Sequence, residues 1–244
     1  MGDAQGLAFD ATVEEYERGR TGWPEGVADA IEADHVLDLA AGTGKLTRVL
    51  VRRFPRVTAV EPLPGMRALG ASLVPEATWL AGTAEQLPLA DGVADAAFVG
   101  EGFHWFDSTA AVNELARVLT EGAPVVVGFL VWKGSFEPGL PTGALQAVSE
   151  VSRRTGTTGG PKWMSGDWAN GFDNAPFGPL TEREVPFEHV TDREGVIAYY
   201  LSMSTIAARP DGERTELAEE LRRLTPDGEH RLELSARLFE TVRL

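Results

Sequence analysis

Acidic residues end two strand-like apolar runs early in the chain, and a turn of small residues follows the first of them. The first run ends at Asp38 and enters the turn AAGTG, which contains Gly42 and Gly44, while the second ends at Glu61, 17 residues after Gly44. Glycines between a strand and a helix let the backbone approach a ligand closely, and a carboxylate at the end of the next strand can accept hydrogen bonds from two ribose hydroxyls. This spacing predicts a site for a ligand that contains a nucleoside.

Two better-known turns of this kind fit the residues poorly. A phosphate-binding loop needs G-x-x-x-x-G-K-[ST], but Leu39 stands at the first glycine and Leu46 follows the lysine, so the motif is absent. A dinucleotide-binding turn needs a third glycine, and Thr47 occupies that position. An ordinary strand-to-helix turn rich in small residues remains an alternative for the motif alone.

The stretch DLAAGTG resembles the first motif of the class I S-adenosylmethionine-dependent methyltransferases, acid-x-G-x-G-x-G, with Ala40 in place of the first glycine. The resemblance implies that Glu61 accepts the ribose hydroxyls and that Pro62 and Met66 pack on adenine. A solvated surface charge is the alternative for Glu61, and core packing is the alternative for Pro62 and Met66. It assigns the cofactor turn itself to Asp38, Ala40, Gly42, Thr43 and Gly44.

A second segment, AGTAEQLPLADG, resembles the D-A-E-x-L-P stretch that faces the adenine edge in the same family. Thr83 replaces the usual acid, so the hydroxyl of Thr83, the backbone of Ala84 and the carboxylate of Glu85 are the candidates for contacting the adenine amine.

The segments VGEGFHWFD and FDATVEEYERGRTGWP resemble the small-molecule subgroup that includes the trans-aconitate methyltransferases. This resemblance adds Tyr16, Glu101, Gly102 and Phe103 to the cofactor residues, and it suggests that Arg20 pairs with the methionine carboxylate of the cofactor. A solvated arginine is the alternative for Arg20.

His104 is the candidate general base, because it follows the fourth predicted strand and the family places the transferable methyl group there. A histidine that packs against Trp105 is the alternative. Methyl transfer itself needs mainly alignment of the two reactants and exclusion of water, so a catalytic base is not obligatory.

Strand and helix patterns alternate over the first 130 residues, which predicts a parallel sheet with helices on both faces. Together with the resemblance, this gives a Rossmann-like α/β fold with a seven-stranded, mostly parallel sheet and an inserted cap or lid. We expect one domain over 1–244, with a cofactor-binding core at 30–131, acceptor-side elaborations at 132–180 and 191–228, and closing strands at 181–190 and 231–242.

Residues 132–177 break the alternation and are rich in glycine, proline and tryptophan, so we expect a loop-rich segment that covers the acceptor pocket. The predicted pocket residues are His104, Trp105, Trp132, Trp163 and Trp168. One apolar helix is predicted at 193–208 and an amphipathic one at 215–224.

Composition excludes several classes of function. The net charge of −15 disfavours nucleic acid as a partner, and the absence of cysteine excludes disulfides and thiolate chemistry. The four histidines lack metal-binding spacing, so no metal site is expected. No run is long and apolar enough for a membrane span and no targeting signal is visible, which favours a cytoplasmic protein.

The sequence therefore predicts an enzyme that transfers a methyl group from S-adenosyl-L-methionine to a small-molecule oxygen, nitrogen or carboxylate acceptor. A nicotinamide-dependent oxidoreductase and a non-catalytic module that binds S-adenosylmethionine are the alternatives. The acceptor and the oligomeric state are left open.

Overall fold

The computed structural model describes residues 12–132, 142–154 and 162–244, and within them a seven-stranded sheet has the order β3-β2-β1-β4-β5-β7-β6. The strands are β1 His35–Leu39, β2 Arg56–Val60, β3 Thr78–Leu80, β4 Ala96–Gly100, β5 Pro124–Trp132, β6 Thr181–Asp192 and β7 Glu229–Val242. The first five strands pair in parallel, and β7 is antiparallel to both β5 and β6. The predicted Rossmann-like fold is confirmed.

The helices are α1 Val13–Gly19, α2 Thr47–Arg53, α3 Pro64–Leu73, α4 Ser108–Val118, α5 Thr142–Arg154, α6 Arg193–Leu201, α7 Ser204–Ala207 and α8 Asp211–Leu224. Four short 3-10 helices lie at Glu25–Val27, Phe103–Trp105, Lys162–Ser165 and Asp167–Phe172. None of these described helices is both long and apolar enough to cross a membrane.

Alternate side chains of the central strands supply two cores, one on each face of the sheet. Leu37 of β1 and Val127 of β5 face α4 and the 3-10 helices near residue 168, whereas Val36 and Val126 face α2 and the segment around Val27. These strands are buried on both faces, as parallel strands covered by helices must be. The carboxyl ends of β1, β2, β4 and β5 therefore meet at one edge, where ligands bind in open α/β sheets.

A third core lies beyond that edge. Strands β6 and β7 stay paired beyond Trp132, whose register partner on β7 is Leu234, as far as the pair Asp192 and Glu229. Helices α5, α6, α7 and α8 pack on this projecting end through a cluster that includes Val148, Ile197, Leu221 and Leu232. These four helices and the projecting ends of β6 and β7 form a cap, which we call the helical cap.

Two expectations about local structure were wrong. The segment 132–177 was expected to be loop-rich, yet it contains the 13-residue helix α5, whose buried Ala144 and Val148 have helical spacing. Glycines and prolines on both sides concealed that periodicity. The single helix expected at 193–208 is broken after Leu201, because Met203 adopts an extended conformation before α7 begins.

Candidate functional site

The turn after β1 has three residues with positive φ angles. These angles are 54° at Ala40, 58° at Gly42 and 84° at Gly44. The left-handed region costs a residue with a side chain about 1–2 kcal/mol, which explains the two glycines and makes Ala40 a strained position. A Cβ on Gly102 would lie 2.7 Å from the Cβ of Ala40, so the alanine in the turn requires a glycine after β4.

Glu61 connects the end of β2 to this turn. The side chain is 3% exposed, Oε2 accepts a hydrogen bond from the Gly42 N–H at 2.9 Å, and Oε1 accepts one from the Leu63 N–H at 2.8 Å. A carboxylate oxygen can accept more than one hydrogen bond. The Glu61 carboxylate therefore supports the turn and is the type of group that accepts hydroxyl donors.

Asp38 at the end of β1 is buried and accepts a 2.6 Å hydrogen bond from the Thr47 hydroxyl at the start of α2. Burial raises the pKa of the Asp38 carboxyl to about 7, with a smaller opposing effect of the hydrogen bond from Thr47 and a further increase from Glu61. The threonine that stands at the third glycine position of a dinucleotide motif thus fixes the acid of the turn.

A narrow apolar slot lies between the first two strands and the loop after β3. Its walls are formed by Leu39, Ala40, Val60, Pro62, Gly82, Thr83, Ala84, Glu85 and Phe106. The predicted adenine contacts at 62 and 83–85 therefore line one pocket together with the strained Ala40. Met66 is 2% exposed within α3 and is not among the residues that line the slot.

Arg117 of α4 holds the loop that carries Thr83 to Glu85. Its guanidinium donates to the Leu89 carbonyl at 2.8 Å and to Asp91 Oδ1 at 2.7 Å, while the neighbouring Glu114 carboxylate accepts from the Leu87 N–H at 2.8 Å. These hydrogen bonds are not visible in the sequence, because the bonded residues lie 26 to 28 residues apart and no local motif connects them.

Glu101 begins the loop after β4 with φ 60°, and its carboxylate accepts a short hydrogen bond from the Leu130 N–H of β5. Desolvation raises the pKa of the Glu101 carboxyl, although this hydrogen bond and the charge of Arg20 oppose the shift. A backbone position of this kind is strained for a glutamate and is characteristic of functional sites.

The 3-10 helix after Glu101 contains Phe103 and His104. Phe103 is fully buried and stacks on Phe172 at 5.5 Å between ring centroids, so only its backbone can face the cofactor crevice. The His104 ring lies 5.1 Å from Trp105 and 5.9 Å from Phe129, which makes it part of an aromatic cluster at the end of β5.

Helix α1 lies over the turn and brings in the N-terminal motif. A Cβ on Gly42 would lie 3.9 Å from the hydroxyl of Tyr16, and burial raises the pKa of Tyr16 to about 12, partly offset by Arg20 and reinforced by Glu101 and Glu61. The guanidinium of Arg20 lies between the rings of Tyr16 and Tyr199, at 5.5 and 5.4 Å from their centroids.

The helical cap supplies two residues near the site that the sequence did not indicate. Arg20 Nε donates to the Ser202 hydroxyl at 3.0 Å, and the Trp132 indole N–H donates to the Tyr199 hydroxyl at 3.3 Å. In the sequence, only the adjacent residues Tyr199 and Tyr200 within an apolar helical pattern indicate that α6 could contribute to a site. The cap and α1 together lie over the carboxyl ends of β4 and β5.

Trp163 and Trp168 are placed on a face of the sheet. Trp163 stacks on Phe129 at 4.9 Å, and Trp168, which is 7% exposed, packs edge-on against Phe129 and Phe239. Both line an open cavity with Arg237 that shares none of its lining residues with the adenine slot among the described residues. Their role toward the acceptor stays a prediction, and 133–141 and 155–161 of the predicted lid lie outside the described residues.

The residues present fit S-adenosylmethionine. A small, mainly apolar slot is lined by Pro62 and by Thr83 to Glu85, and the buried Glu61 carboxylate at the end of β2 is the type of group that accepts hydroxyl donors. The positive φ angles at Gly42 and Gly44 let the backbone of the turn approach a ligand closely. Among the described residues no three acidic or histidine side chains cluster as metal ligands.

Comparison with known proteins agrees with this fit. Residues 37–127 match a methyltransferase domain family. An uncharacterized methyltransferase from Mycobacterium tuberculosis is 34% identical over 221 residues, which cover 89% of this chain and 85% of that protein. An uncharacterized methyltransferase-like protein from Schizosaccharomyces pombe is 29% identical over 87% of this chain and 84% of its own length.

Solved structures share the fold. A candidate type II methyltransferase from Anaeromyxobacter dehalogenans has a TM-score of 0.65 at 20% identity, covering 92% of this chain and 97% of that chain. A phosphoethanolamine N-methyltransferase from Haemonchus contortus, solved with S-adenosylhomocysteine, has a TM-score of 0.55 at 13% identity over 100% of this chain and 60% of that one. The turn, the acidic strand ends and these relatives together show that the chain belongs to the class I S-adenosylmethionine-dependent methyltransferases.

Proposed function

We propose that this enzyme methylates a small molecule that binds between the loop after β4, the end of β5 and the helical cap. The proposal is carried by one observation: the apolar slot, the Glu61 carboxylate and the positive-φ turn lie together at the carboxyl ends of β1 and β2, and α1 packs on both this turn and the helical cap. Residues 132–180 and 191–228 are the proposed acceptor-side elaborations.

The cofactor residues proposed from the sequence fall into three roles. Glu61 holds the ribose, the slot from Pro62 to Glu85 holds adenine, and the end of β4 faces the methionine part. In this arrangement the bound cofactor supplies an electrophilic methyl group, and the chain aligns the acceptor and excludes water.

Acceptor chemistry is proposed from the groups at the end of β4 and β5. Arg20, Glu101, Trp132 and Tyr199 give this end a guanidinium, a carboxylate and two aromatic rings within one network of contacts. Such a set suits a small acceptor with both polar and apolar parts. The resemblance of the H-W-F loop to the trans-aconitate methyltransferases favours an oxygen or carboxylate acceptor within this range.

His104 is the proposed general base. Its ring is part of the aromatic cluster with Trp105 and Phe129, next to the loop that follows β4. Once an acceptor is known, His104→Gln should lower turnover about 100-fold with unchanged affinity for S-adenosylhomocysteine if His104 transfers a proton. A variant that loses thermal stability and keeps turnover would instead make His104 a packing residue.

Calorimetric titration with S-adenosylmethionine, S-adenosylhomocysteine and NAD tests the proposed cofactor site. We expect micromolar binding of the first two and none of NAD, together with a rise in melting temperature because these ligands bind only the folded state. Binding of NAD alone would indicate an oxidoreductase. Transfer of labelled methyl from S-adenosylmethionine to a panel of small acids, phenols and amines then identifies the acceptor, and cofactor binding without any transfer would favour the non-catalytic alternative.

Shortening 156–168 to a glycine-serine linker tests the predicted lid. We expect affinity for S-adenosylhomocysteine within about threefold of wild type and loss of turnover. Because Trp163 and Trp168 pack against Phe129, the melting temperature should fall as well, so both measurements are made at a temperature at which the variant is folded. Loss of cofactor binding, or retained turnover, would remove this segment from the acceptor site. Cytoplasmic localisation stays a prediction from composition.

A further inference from the structure

Trp23 occupies a slot made by two glycines on neighbouring strands. Gly100 of β4 and Gly128 of β5 are register partners. A Cβ on Gly100 would lie 2.7 Å from Cζ2 of Trp23, and one on Gly128 would lie 2.7 Å from Cζ3. Carbon atoms that are not bonded stay about 3.5–4.0 Å apart, so the indole fits only because both positions lack a side chain.

The segment that follows Trp23 is fixed to the sheet. Val27 and Ala28 are buried in the core below α2, and Arg183 of β6 donates to the carbonyls of Gly26 at 2.9 Å and Val27 at 3.3 Å. Trp23 lies four residues after Gly19, the end of α1, and so connects this fixed segment to the helix. The carboxyl end of α1 also packs on the helical cap through Gly19 and Arg20, so Trp23 and the cap hold it from two sides.

Helix α1 in turn contacts the cofactor turn and the start of α2. Lys45 donates to the Glu17 carbonyl at 2.8 Å, Arg48 pairs with the Glu17 carboxylate at 2.9 Å, and the Tyr16 ring covers Gly42. Gly42 belongs to the proposed cofactor turn, and Lys45 and Arg48 follow that turn directly in the chain.

We propose that Trp23 is a positioning residue that, from its glycine slot, holds α1 over the cofactor turn and so preorganises the cofactor site without touching the cofactor. The inference rests on the proposed cofactor site at residues 38–44. A helix already held in its bound position loses less freedom when the ligand binds, and this raises affinity.

The slot allows a test by removal and by rescue. Trp23→Ala empties the slot, and Gly128→Ala inserts a methyl group that displaces the indole. The double variant Trp23→Phe with Gly128→Ala makes room for that methyl group, since a phenyl ring is shorter than an indole. Phe54→Ala is the matched control, because Phe54 packs on Phe98 in the same core as Trp23 but at the far end of α2.

The measurements are the affinity for S-adenosylhomocysteine by calorimetry, the melting temperature, and hydrogen exchange of amides 13–20. Trp23→Ala and Gly128→Ala should each weaken binding about tenfold or more and accelerate exchange in α1, because the helix must then be ordered by the ligand. The double variant should bind within about threefold of wild type, and Phe54→Ala should lose thermal stability while keeping both affinity and α1 protection.

Three outcomes would overturn the inference: wild-type affinity in a folded Gly128→Ala, no rescue in the double variant, or an equal loss of affinity in Phe54→Ala. The Gly128→Ala arm retains the test if Trp23→Ala does not fold. If the wild-type protein itself fails to bind S-adenosylhomocysteine, the cofactor site is wrong, which is a different result from unaltered binding in the variants.

Discussion

The contacts that build the cofactor turn and those that hold the helical cap span very different sequence distances. Glu61 reaches Gly42 across 19 residues and Thr47 reaches Asp38 across 9. On the cap side, Arg20 bonds Ser202 across 182 residues and Arg214 bonds Glu15 across 199.

This difference reflects how each side is built. Consecutive strands of a parallel sheet end at the same edge, so residues at successive strand ends meet there without further information. The cap instead needs two antiparallel strands that project beyond the rest of the sheet, helices that pack on these strands, and the helix α1, which packs on the cap from the other end of the chain. A change in the turn should therefore act on the contacts between neighbouring strand ends and on the cofactor, whereas a change at the contact between α1 and α6 should affect how the cap docks and the stability of both helices.

The largest effect is expected from the pH dependence of Asp38. Its pKa is raised from 3.8 to about 7 in the folded protein, so the folded state holds an extra proton between these values and stability falls as pH rises through this range. Asp38→Asn can still accept from Thr47 but does not titrate. The free energy of unfolding of the wild type relative to this variant should fall by up to about 4 kcal/mol from pH 4 to pH 8, measured by urea denaturation. A constant difference in the free energy of unfolding across that range would contradict a raised pKa of Asp38 in the folded protein.

Glu61→Ala should weaken binding of S-adenosylhomocysteine by about 2–4 kcal/mol, because the hydrogen bonds that the ribose hydroxyls donate to the charged carboxylate would be lost. Calorimetry measures the effect directly. The exposed Glu76, on the loop before β3, provides the control, and Glu76→Ala should bind as the wild type does. Equal affinities in all three proteins would leave Glu61 as a support for the turn only.

Gly19→Ala tests the contact between α1 and α6. A Cβ at Gly19 would lie 2.0 Å from the backbone nitrogen of Tyr199, whereas Gly22 has no atom within 4 Å of such a Cβ. Backbone cannot move aside as a flexible side chain can, so the free energy of unfolding should fall by about 1–3 kcal/mol in Gly19→Ala and remain nearly unchanged in Gly22→Ala. Faster hydrogen exchange in both α1 and α6 should accompany the loss, and similar stability of the two variants would show that α1 does not pack as described.

The smallest effect is expected from Arg18, which pairs with Asp192 at 2.6 Å although both side chains are more than half exposed. Solvent screens such a pair, so Arg18→Ala should change the free energy of unfolding by less than about 0.5 kcal/mol in 0.15 M salt. Substituting the arginine leaves Asp192 free to cap α6 through the Gly195 N–H. A loss above 1 kcal/mol would mean that cap docking depends on exposed charges as well as on packing.

The amino-acid sequence by itself determined the parallel half of the sheet and the class of cofactor, and it predicts the edge of the sheet at which the cofactor binds. The apolar runs, the small-residue turn and Glu61 are local signals, and each follows from the strand or helix in which it lies. Even the departure at Ala40 is visible in the sequence, although its compensation by Gly102 is not, since only the fold places Gly102 so close to the turn that a Cβ there would lie 2.7 Å from the Cβ of Ala40.

Only the tertiary structure decided what lies over that edge. Helix α5 was not predicted, because glycine-rich stretches flank it, and the predicted helix at 193–208 is longer than α6. Trp163 and Trp168 pack against Phe129 on a face of the sheet. Tyr199, Ser202 and the glycine slot of Trp23 depend on packing between segments that are distant in the chain. Such contacts form because the folded chain buries apolar surface between the two segments. The periodicity of one segment predicts which of its faces is buried, but it does not predict which other segment packs on that face.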